Sequence, residues 1–167
     1  VDYALKNKSK LIYSGSSSRW HIPMKSPYAM TKHIGEEWIK MYKEVYDLNV
    51  QIVRFYNVYG PGELVDSHMA AVIGLWRGQV QKNYPITIIG DGKQRRDFTH
   101  IDDIVDGVVK SLMNPFSYEI INLGNNKPVE LLDFIYTLEE ALNTKAIIKF
   151  AELQDGDVLE TWADIDI

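Results

Sequence analysis

The chain has 167 residues, of which 46% are apolar, and it carries a formal net charge of −5 with a pI of about 5.3. This length suits one domain, or one domain with part of another, and the acidic charge argues against nucleic acid as a partner, because nucleic-acid-binding surfaces are usually basic. The sequence contains no cysteine, which excludes disulfides and thiolate chemistry, and no apolar run approaches the roughly 18 residues of a membrane span.

The first residues, Val1 to Lys6, lack the order of basic, apolar and small residues that is typical of a signal peptide. The chain also begins without an initiator methionine. We therefore expect a cytoplasmic protein without a membrane partner, and we expect these residues to be an internal piece of a longer chain.

The first half of the chain predicts a strand, a helix and a second strand. Residues 10–14 form a short apolar run typical of a buried strand. From Tyr28 the apolar residues recur at steps of three and four, which predicts a helix with one apolar face. The residues of this face are Ile34, Trp38, Met41, Tyr42 and Val45. Residues 50–56 are mostly β-branched or aromatic and predict the next strand.

The second half continues the alternation. The predicted elements are a helix at about 67–81, a strand at 86–89, a helix at 101–113, a strand at 119–123, a helix at 131–142 and a strand at 146–150. Thr99 and Asp102 resemble a capping box at the start of the helix at 101–113. Alternating strands and helices imply parallel strands joined by helical crossovers.

Tyr28 and Lys32 open the first long helix, after a serine-rich turn at 14–18. Residues four apart lie on one helical face. A free phenol has a pKa of about 10, and a nearby ammonium favours the phenolate, so a tyrosine beside a lysine becomes a usable general acid and base. A serine nearby would hold the alcohol whose proton moves. The alternative is an ordinary solvated first helical turn.

Several motifs follow one another in a fixed order, at residues 11–17, 26–32, 54–61, 90–92, 96–104 and 156–157. In this order they resemble the extended short-chain dehydrogenases, in particular the NAD-dependent epimerase/dehydratase family of sugar-nucleotide enzymes. The Gly-x-x-Gly-x-x-Gly turn of that family, which seats the pyrophosphate of NAD, is absent from this sequence. The family places it upstream of the point where this chain begins.

The resemblance implies an α/β fold: a partial Rossmann-like, doubly wound parallel sheet with a small C-terminal substrate-binding α/β portion. Residues 1–60 would be the C-terminal part of the NAD-binding domain. Residues 61–167 would mainly bind the nucleotide sugar, with 86–125 partly returning to the Rossmann-like core.

The resemblance also implies NAD as the cofactor and catalytic roles for three residues. Tyr28 would be the acid and base, Lys32 would tune it and contact the ribose, and Ser16 would hydrogen-bond the reacting hydroxyl. Tyr28 and Lys32 would contact the cofactor together with Ser14, and Phe55 would lie beside the nicotinamide. The alternatives are a solvated serine turn for Ser16 and plain strand packing for Phe55.

Substrate-binding roles are implied for Ser16, Asn57, Arg96 and Asp157. Asn57 would reach the sugar or a phosphate, with an Asx turn as the alternative. Arg96 would grip the diphosphate through its guanidinium fork, with a surface ion pair to Asp97 as the alternative. Asp157 would hold the ribose hydroxyls of the nucleotide.

The histidines show no paired spacing with carboxylates that indicates a metal site. They are His21, His33, His68 and His100. Residues 99–103 could be mistaken for a ligand cluster, but we interpret them as a helix cap. We therefore expect no bound metal.

The resemblance favours an NAD-dependent nucleotide-sugar epimerase similar to UDP-glucose 4-epimerase, acting on a UDP-sugar by hydride abstraction and return at C4, and a homodimer when full length. A 4,6-dehydratase is disfavoured, because those enzymes place Asp-Glu after the active-site hydroxyl residue and here Ser17 and Ser18 follow Ser16. A decarboxylase, a 4-keto reductase and a non-catalytic sugar-nucleotide-binding fragment remain as alternatives.

Overall fold

The computed structural model describes residues 1–20, 26–67, 70–153 and 159–165. The α-helices of these ranges are α1 (Asp2–Asn7), α2 (Pro27–Tyr46), α3 (Val72–Gln81), α4 (Ile101–Met113) and α5 (Leu131–Leu142). The strands are β1 (Leu11–Ser16), β2 (Val50–Phe55), β3 (Val58–Tyr59), β4 (Ile86–Ile89), β5 (Arg95–Arg96), β6 (Thr99–His100), β7 (Tyr118–Leu123), β8 (Val129–Glu130), β9 (Ile148–Ala151) and β10 (Glu160–Thr161). A short 3₁₀ turn, Ser17–Trp20, follows β1.

The central layer is a parallel sheet in the order β1-β2-β7. Its register places Gly15 opposite Arg54, and Arg54 opposite Asn122 on the third strand. β2 lies between the other two, and its residues from Val50 to Arg54 are all buried. Parallel strands joined by helices need cover on their faces, and α2 and α4 both pack against β1 and β2.

Smaller sheets complete the fold. The strand β3 pairs with β6, β4 pairs with β9, and β5 lies between β8 and β10. All of these pairs are parallel except β5 with β8, which is antiparallel. The predicted alternation is therefore confirmed, with one antiparallel pair that periodicity gave no reason to expect.

Two apolar clusters hold these layers. The first lies between α1, α2 and the parallel sheet, and its buried members are Ala4, Ile39, Leu48, Val50 and Ile52. The second lies between α3, β4 and α5, and its buried members are Trp76, Val80, Ile86, Ile88, Leu131, Ile135 and Leu138. None of the helices in the described ranges combines the length and apolarity needed to cross a membrane.

The predicted capping box at Thr99 is wrong. His100 is the N-cap of α4, and its Nδ1 accepts a hydrogen bond from the backbone N–H of Asp102 at 3.3 Å. Thr99 is buried one residue earlier in β6, where it pairs with Val58. The helix begins one residue later than the capping pattern requires, so the histidine ring takes the role expected of the threonine.

The helix predicted at about 67–81 begins at Val72, because Ala71 is extended and is the residue preceding the helix. The helix α2 is confirmed, but four of the five residues of its predicted apolar face are exposed, and Tyr42 is the member that packs against the first apolar cluster. Trp38 is 56% exposed and Val45 61% exposed, whereas Ala29, Glu36 and Ile39 are buried. The periodicity therefore identified the helix and misassigned the face that meets the core.

Candidate active site

The carboxyl ends of β1, β2 and β7 meet at one edge of the parallel sheet. Ligands of open α/β sheets bind at this edge. Ser16 ends β1 and lies opposite Phe55, the last residue of β2. The first residue of α2, Pro27, suits the N-terminal position of a helix because its missing N–H would be unpaired there anyway. Ser26 caps this helix by accepting from the N–H of Ala29 at 3.3 Å.

Tyr28 and Lys32 lie together on the first turns of α2. The Lys32 ammonium lies 5.8 Å from the centroid of the Tyr28 ring, within the range of a cation–π contact. The same ammonium donates a hydrogen bond to the Ser14 carbonyl of β1 at 3.0 Å. Lys32 thus joins the tyrosine to the strand that carries the serine turn. Tyr28 is 57% exposed, so its phenol is accessible to a ligand.

Ser16 is buried at the end of β1. Its Oγ accepts from the backbone N–H of Ser18 at 3.2 Å and lies 2.9 Å from the Ser18 Oγ. A hydroxyl has two acceptor positions and one donor. The contacts with Ser18 fix the Ser16 oxygen in one place at the end of β1.

A second set of predicted residues lines a cavity of about 330 Å³. The lining residues are Asn57, Val58, Ala71, Val72, Ile73, Arg96 and Phe98. The Arg96 Nη1 donates to the carbonyls of Arg95 at 3.0 Å and Leu159 at 3.4 Å. These bonds orient the planar guanidinium at the cavity wall.

Asn57 has a positive φ of 34°, a conformation that asparagine tolerates better than most residues. Its side-chain amide donates to the backbone carbonyl of Asp97 at 2.8 Å. This bond holds the amide at the cavity wall, next to the strand that carries Arg96.

Sequence reasoning missed Asp97, which organises this cavity. It is fully buried, and its carboxylate accepts three backbone N–H bonds, from Asn125 at 3.2 Å, Asn126 at 3.0 Å and Ala163 at 2.9 Å. Asp97 is therefore not a surface partner for Arg96, contrary to the alternative weighed above. A two-residue period would have placed Asp97 and Thr99 on one face, but neither residue is apolar, so no hydrophobic signal marked that face as buried.

The structure therefore brings the predicted residues together in two sets. In the first set Lys32 contacts Tyr28 and the Ser14 carbonyl, and Ser16 lies two residues further along β1. In the second set Asn57 and Arg96 line the cavity. Asp157, His21 and His68 lie outside the described residues. Within the ranges that are described, no three histidine, aspartate or glutamate side chains are grouped so that they could hold a metal ion.

The chain is similar in sequence to known proteins. The model of the NAD dependent epimerase/dehydratase family matches residues 3–124. A UDP-glucuronate 4-epimerase of Thermodesulfobacterium geofontis is 41% identical over 160 residues, which are 92% of this chain and 48% of that protein. The chain thus spans about half the length of this curated relative.

Solved structures share the fold. A UDP-N-acetylglucosamine 4-epimerase of Methanobrevibacter ruminantium M1, in complex with UDP-N-acetylmuramic acid, superposes with a TM-score of 0.87 at 27% identity, covering 97% of this chain and 56% of that one. A UDP-glucuronic acid 4-epimerase of Bacillus cereus, in complex with UDP-glucuronic acid and NAD, superposes with a TM-score of 0.84 at 32% identity, covering 93% and 52%. The predicted Rossmann-like α/β fold class is confirmed.

Proposed function

Because the chain belongs to the NAD-dependent epimerase/dehydratase family, we propose that it carries the proton-transfer and sugar-binding residues of an NAD-dependent UDP-sugar 4-epimerase. The observation that carries this proposal is the position of Lys32, whose ammonium contacts both the Tyr28 ring and the Ser14 carbonyl. UDP-glucuronate is the first sugar nucleotide to test, because it is the substrate named for the relative that is 41% identical.

The residues at the end of β1 fit a dinucleotide. An ammonium has three N–H donors, and the Ser14 carbonyl takes one, so Lys32 has donors to offer the nicotinamide ribose. Phe55 ends β2 and Ser14 lies two residues before the end of β1, and a nicotinamide bound at this sheet edge would contact both. NAD, when bound, supplies the acceptor and donor of the hydride at sugar C4.

The chain's own residues would move the proton. Tyr28 would take it from the C4 hydroxyl and return it once the sugar presents its other face. The Lys32 ammonium would stabilise the phenolate, because an opposite charge nearby favours the ionised form. Ser16 would hold the reacting oxygen, since Ser18 fixes its Oγ at the end of β1.

Asn57 and Arg96 would bind the rest of the substrate. The cavity that they line has room for part of a nucleotide sugar, and the Arg96 guanidinium suits phosphate oxygens. In this proposal Asp157 holds the nucleotide ribose, residues 1–60 belong to the NAD-binding domain, and 61–167 mainly bind the sugar nucleotide, with 86–125 returning in part to the first domain.

The test is an activity assay on the product of the complete reading frame with NAD and a panel of UDP-glucuronate, UDP-glucose and UDP-N-acetylglucosamine, with the configuration at C4 read by NMR. We expect inversion at C4 for at least one sugar. Tyr28→Phe removes only the hydroxyl and should lower kcat by about 10²–10⁴-fold, the usual contribution of general acid–base catalysis.

Tyr84→Phe is the matched control, because Tyr84 is 60% exposed, much like Tyr28, and lies outside both sets of site residues. A 4-keto-6-deoxy product would favour the dehydratase instead. An absence of turnover with every sugar would favour the non-catalytic fragment.

The exposed apolar face of α2 supports a homodimer as part of this proposal. Ile34, Trp38 and Met41 line a cavity of about 330 Å³ on the outer side of the helix, and large exposed apolar patches mark interaction sites. Trp38→Glu should convert a dimer to a monomer in light scattering. A wild-type protein that is monomeric at micromolar concentration would contradict the dimer.

A further inference from the structure

Glu36 on α2 and Arg54 on β2 form a buried ion pair. The Arg54 Nε donates to Glu36 Oε1 at 3.0 Å and the Nη2 donates to Oε2 at 2.6 Å. The two side chains are only 3% and 8% exposed. A bidentate pair of this kind permits one relative orientation of its partners, so it restricts how α2 can sit on the sheet.

Glu36 continues the row of Tyr28 and Lys32 along α2. The three residues follow at steps of four, which keeps them on one inclined ridge of the helix. With a rise of 1.5 Å per residue, Glu36 lies about 12 Å along the axis from Tyr28. A rotation or slip of α2 at Glu36 would therefore also move Lys32 and Tyr28.

The ridge meets β1 at two consecutive residues. Lys32 binds the Ser14 carbonyl, and Gly15, the next residue, lies opposite Arg54 in the sheet. A Cβ added to Gly15 would lie 2.8 Å from Glu36 Oε1 and 3.1 Å from Arg54 Cγ. The missing side chain of Gly15 is what allows the ion pair to lie against β1.

We propose that Glu36 and Arg54 are positioning residues that fix the rotation and height of α2, and thereby place Tyr28 and Lys32 over the end of β1. This inference rests on the proposed function for its catalytic consequence. Burying two charges is unfavourable, and an apolar pair of similar size is often equally stable. The pair therefore contributes orientation to this site more than it contributes to folding free energy.

The double variant Glu36→Leu with Arg54→Met tests this directly, because it removes both charges together and leaves neither one buried without a partner. In the product of the complete reading frame we expect thermal unfolding close to wild type. We expect kcat to fall about 10–100-fold, since a misplacement of about 1 Å can cost 10²-fold. KM for the UDP-sugar should stay within twofold, because Asn57 and Arg96 lie outside α2.

A second measurement does not depend on turnover. Backbone amides of residues 28–35 should exchange hydrogen for deuterium several times faster in the double variant, while those of β2 should not change. Glu36→Gln keeps the shape and one acceptor oxygen but turns an NH₂ group toward a guanidinium N–H, so one of the two hydrogen bonds to Arg54 is lost. We therefore expect it to lower kcat, with unchanged KM, and to raise amide exchange, each by less than the double variant does. If Leu and Met prevent folding, this single variant carries the test.

The control is Glu139→Gln with Lys145→Met, which removes another ion pair with a buried carboxylate, on α5. It should leave kcat and the amide exchange of residues 28–35 unchanged. The proposal is overturned if the Leu and Met variant keeps wild-type kcat and exchange, or if its kcat falls only with the folded fraction. A wild-type protein without epimerase activity would refute the proposed function, while the exchange comparison would still decide the positioning role.

Discussion

The parallel sheet and the cavity are stabilised by different kinds of contact. In the sheet, β1 pairs with β2, and β2 with β7, through six aligned residue pairs each. Around the cavity the strands β3, β5, β6, β8 and β10 have two residues each. There one carboxylate, that of Asp97, joins the turn after β7 to the segment after β10.

We call Asp97 with its three donors, Asn125, Asn126 and Ala163, the Asp97 cluster. The comparison implies that the sheet, which places Tyr28 and Lys32, distributes its stability over many backbone bonds and apolar contacts. The cavity, which places Asn57 and Arg96, depends on one buried group. Single substitutions should therefore affect the two regions unequally.

The largest effect is expected for Asp97→Asn. The amide keeps one acceptor oxygen but turns an NH₂ group toward a backbone N–H, so at least one buried donor loses its partner. Since hydrogen bonds to charged groups contribute about 1.5–3 kcal/mol each, urea unfolding should show a loss of about 3 kcal/mol or more. Amides of 159–165 should lose protection first.

Asp102→Asn serves as the control, because the Asp102 side chain is 87% exposed and its loss should change stability by less than about 0.5 kcal/mol. If Asp97→Asn lowered the free energy of unfolding no more than Asp102→Asn does, the cavity would not depend on the Asp97 carboxylate.

Gly124→Ala should damage the same cluster from its other side. A Cβ at Gly124 would overlap the Cβ of Ala163 and lie 2.8 Å from the Asp97 carboxylate. Overpacking of this kind costs about 1–3 kcal/mol, measurable by urea unfolding. Because both substitutions disrupt one cluster, their effects should not add. Additivity within about 0.5 kcal/mol would mean that Gly124 and Asp97 act independently.

The sheet could be predicted from the sequence to a much greater extent than the cavity could. The sheet strands and long helices were predictable because hydrophobic periodicity differs between strands and helices, as for the strand predicted at 50–56 and the helix at 101–113. Periodicity did not report burial on the helices, since Val105, Val109 and Met113 of α4 are at least half exposed. The proximity of Tyr28 and Lys32 was predictable, because residues four apart on a helix lie on one face. The Asp97 cluster was not, because its contacts join residues up to 66 positions apart through backbone N–H groups, which carry no residue identity.

Within the sheet, a conservative truncation should have a modest and local effect. Ile52→Val removes one methyl group from a fully buried site on β2 and should cost about 1 kcal/mol in urea unfolding, with kcat unchanged. Ile88→Val, equally buried in the second cluster, is the matched comparison and should cost about the same. If Ile52→Val lowered the free energy of unfolding by more than about 3 kcal/mol, the sheet would also depend on single side chains.

The smallest effect concerns alkaline pH. Burial raises the pKa of Tyr13 above its ordinary value of 10.0, and the negative charges of Glu36 and Tyr28 add to this. Folded Tyr13 therefore keeps its proton at a pH where the unfolded chain has lost it. Stability should be unaffected below pH 10 and should fall as pH rises from 10 through the folded pKa. Tyr118 is raised in the same direction, again mainly by burial.

Tyr13→Phe should make the urea midpoint fall less steeply between pH 9 and 11.5 than in the wild type, because the variant has no phenol to ionise at that site. Tyr84→Phe, at a site exposed to solvent, should leave the slope unchanged. Equal slopes in all three proteins would mean that the Tyr13 phenol is as well solvated as a surface tyrosine. This would contradict the close packing of the Tyr13 ring against Gly35 of α2.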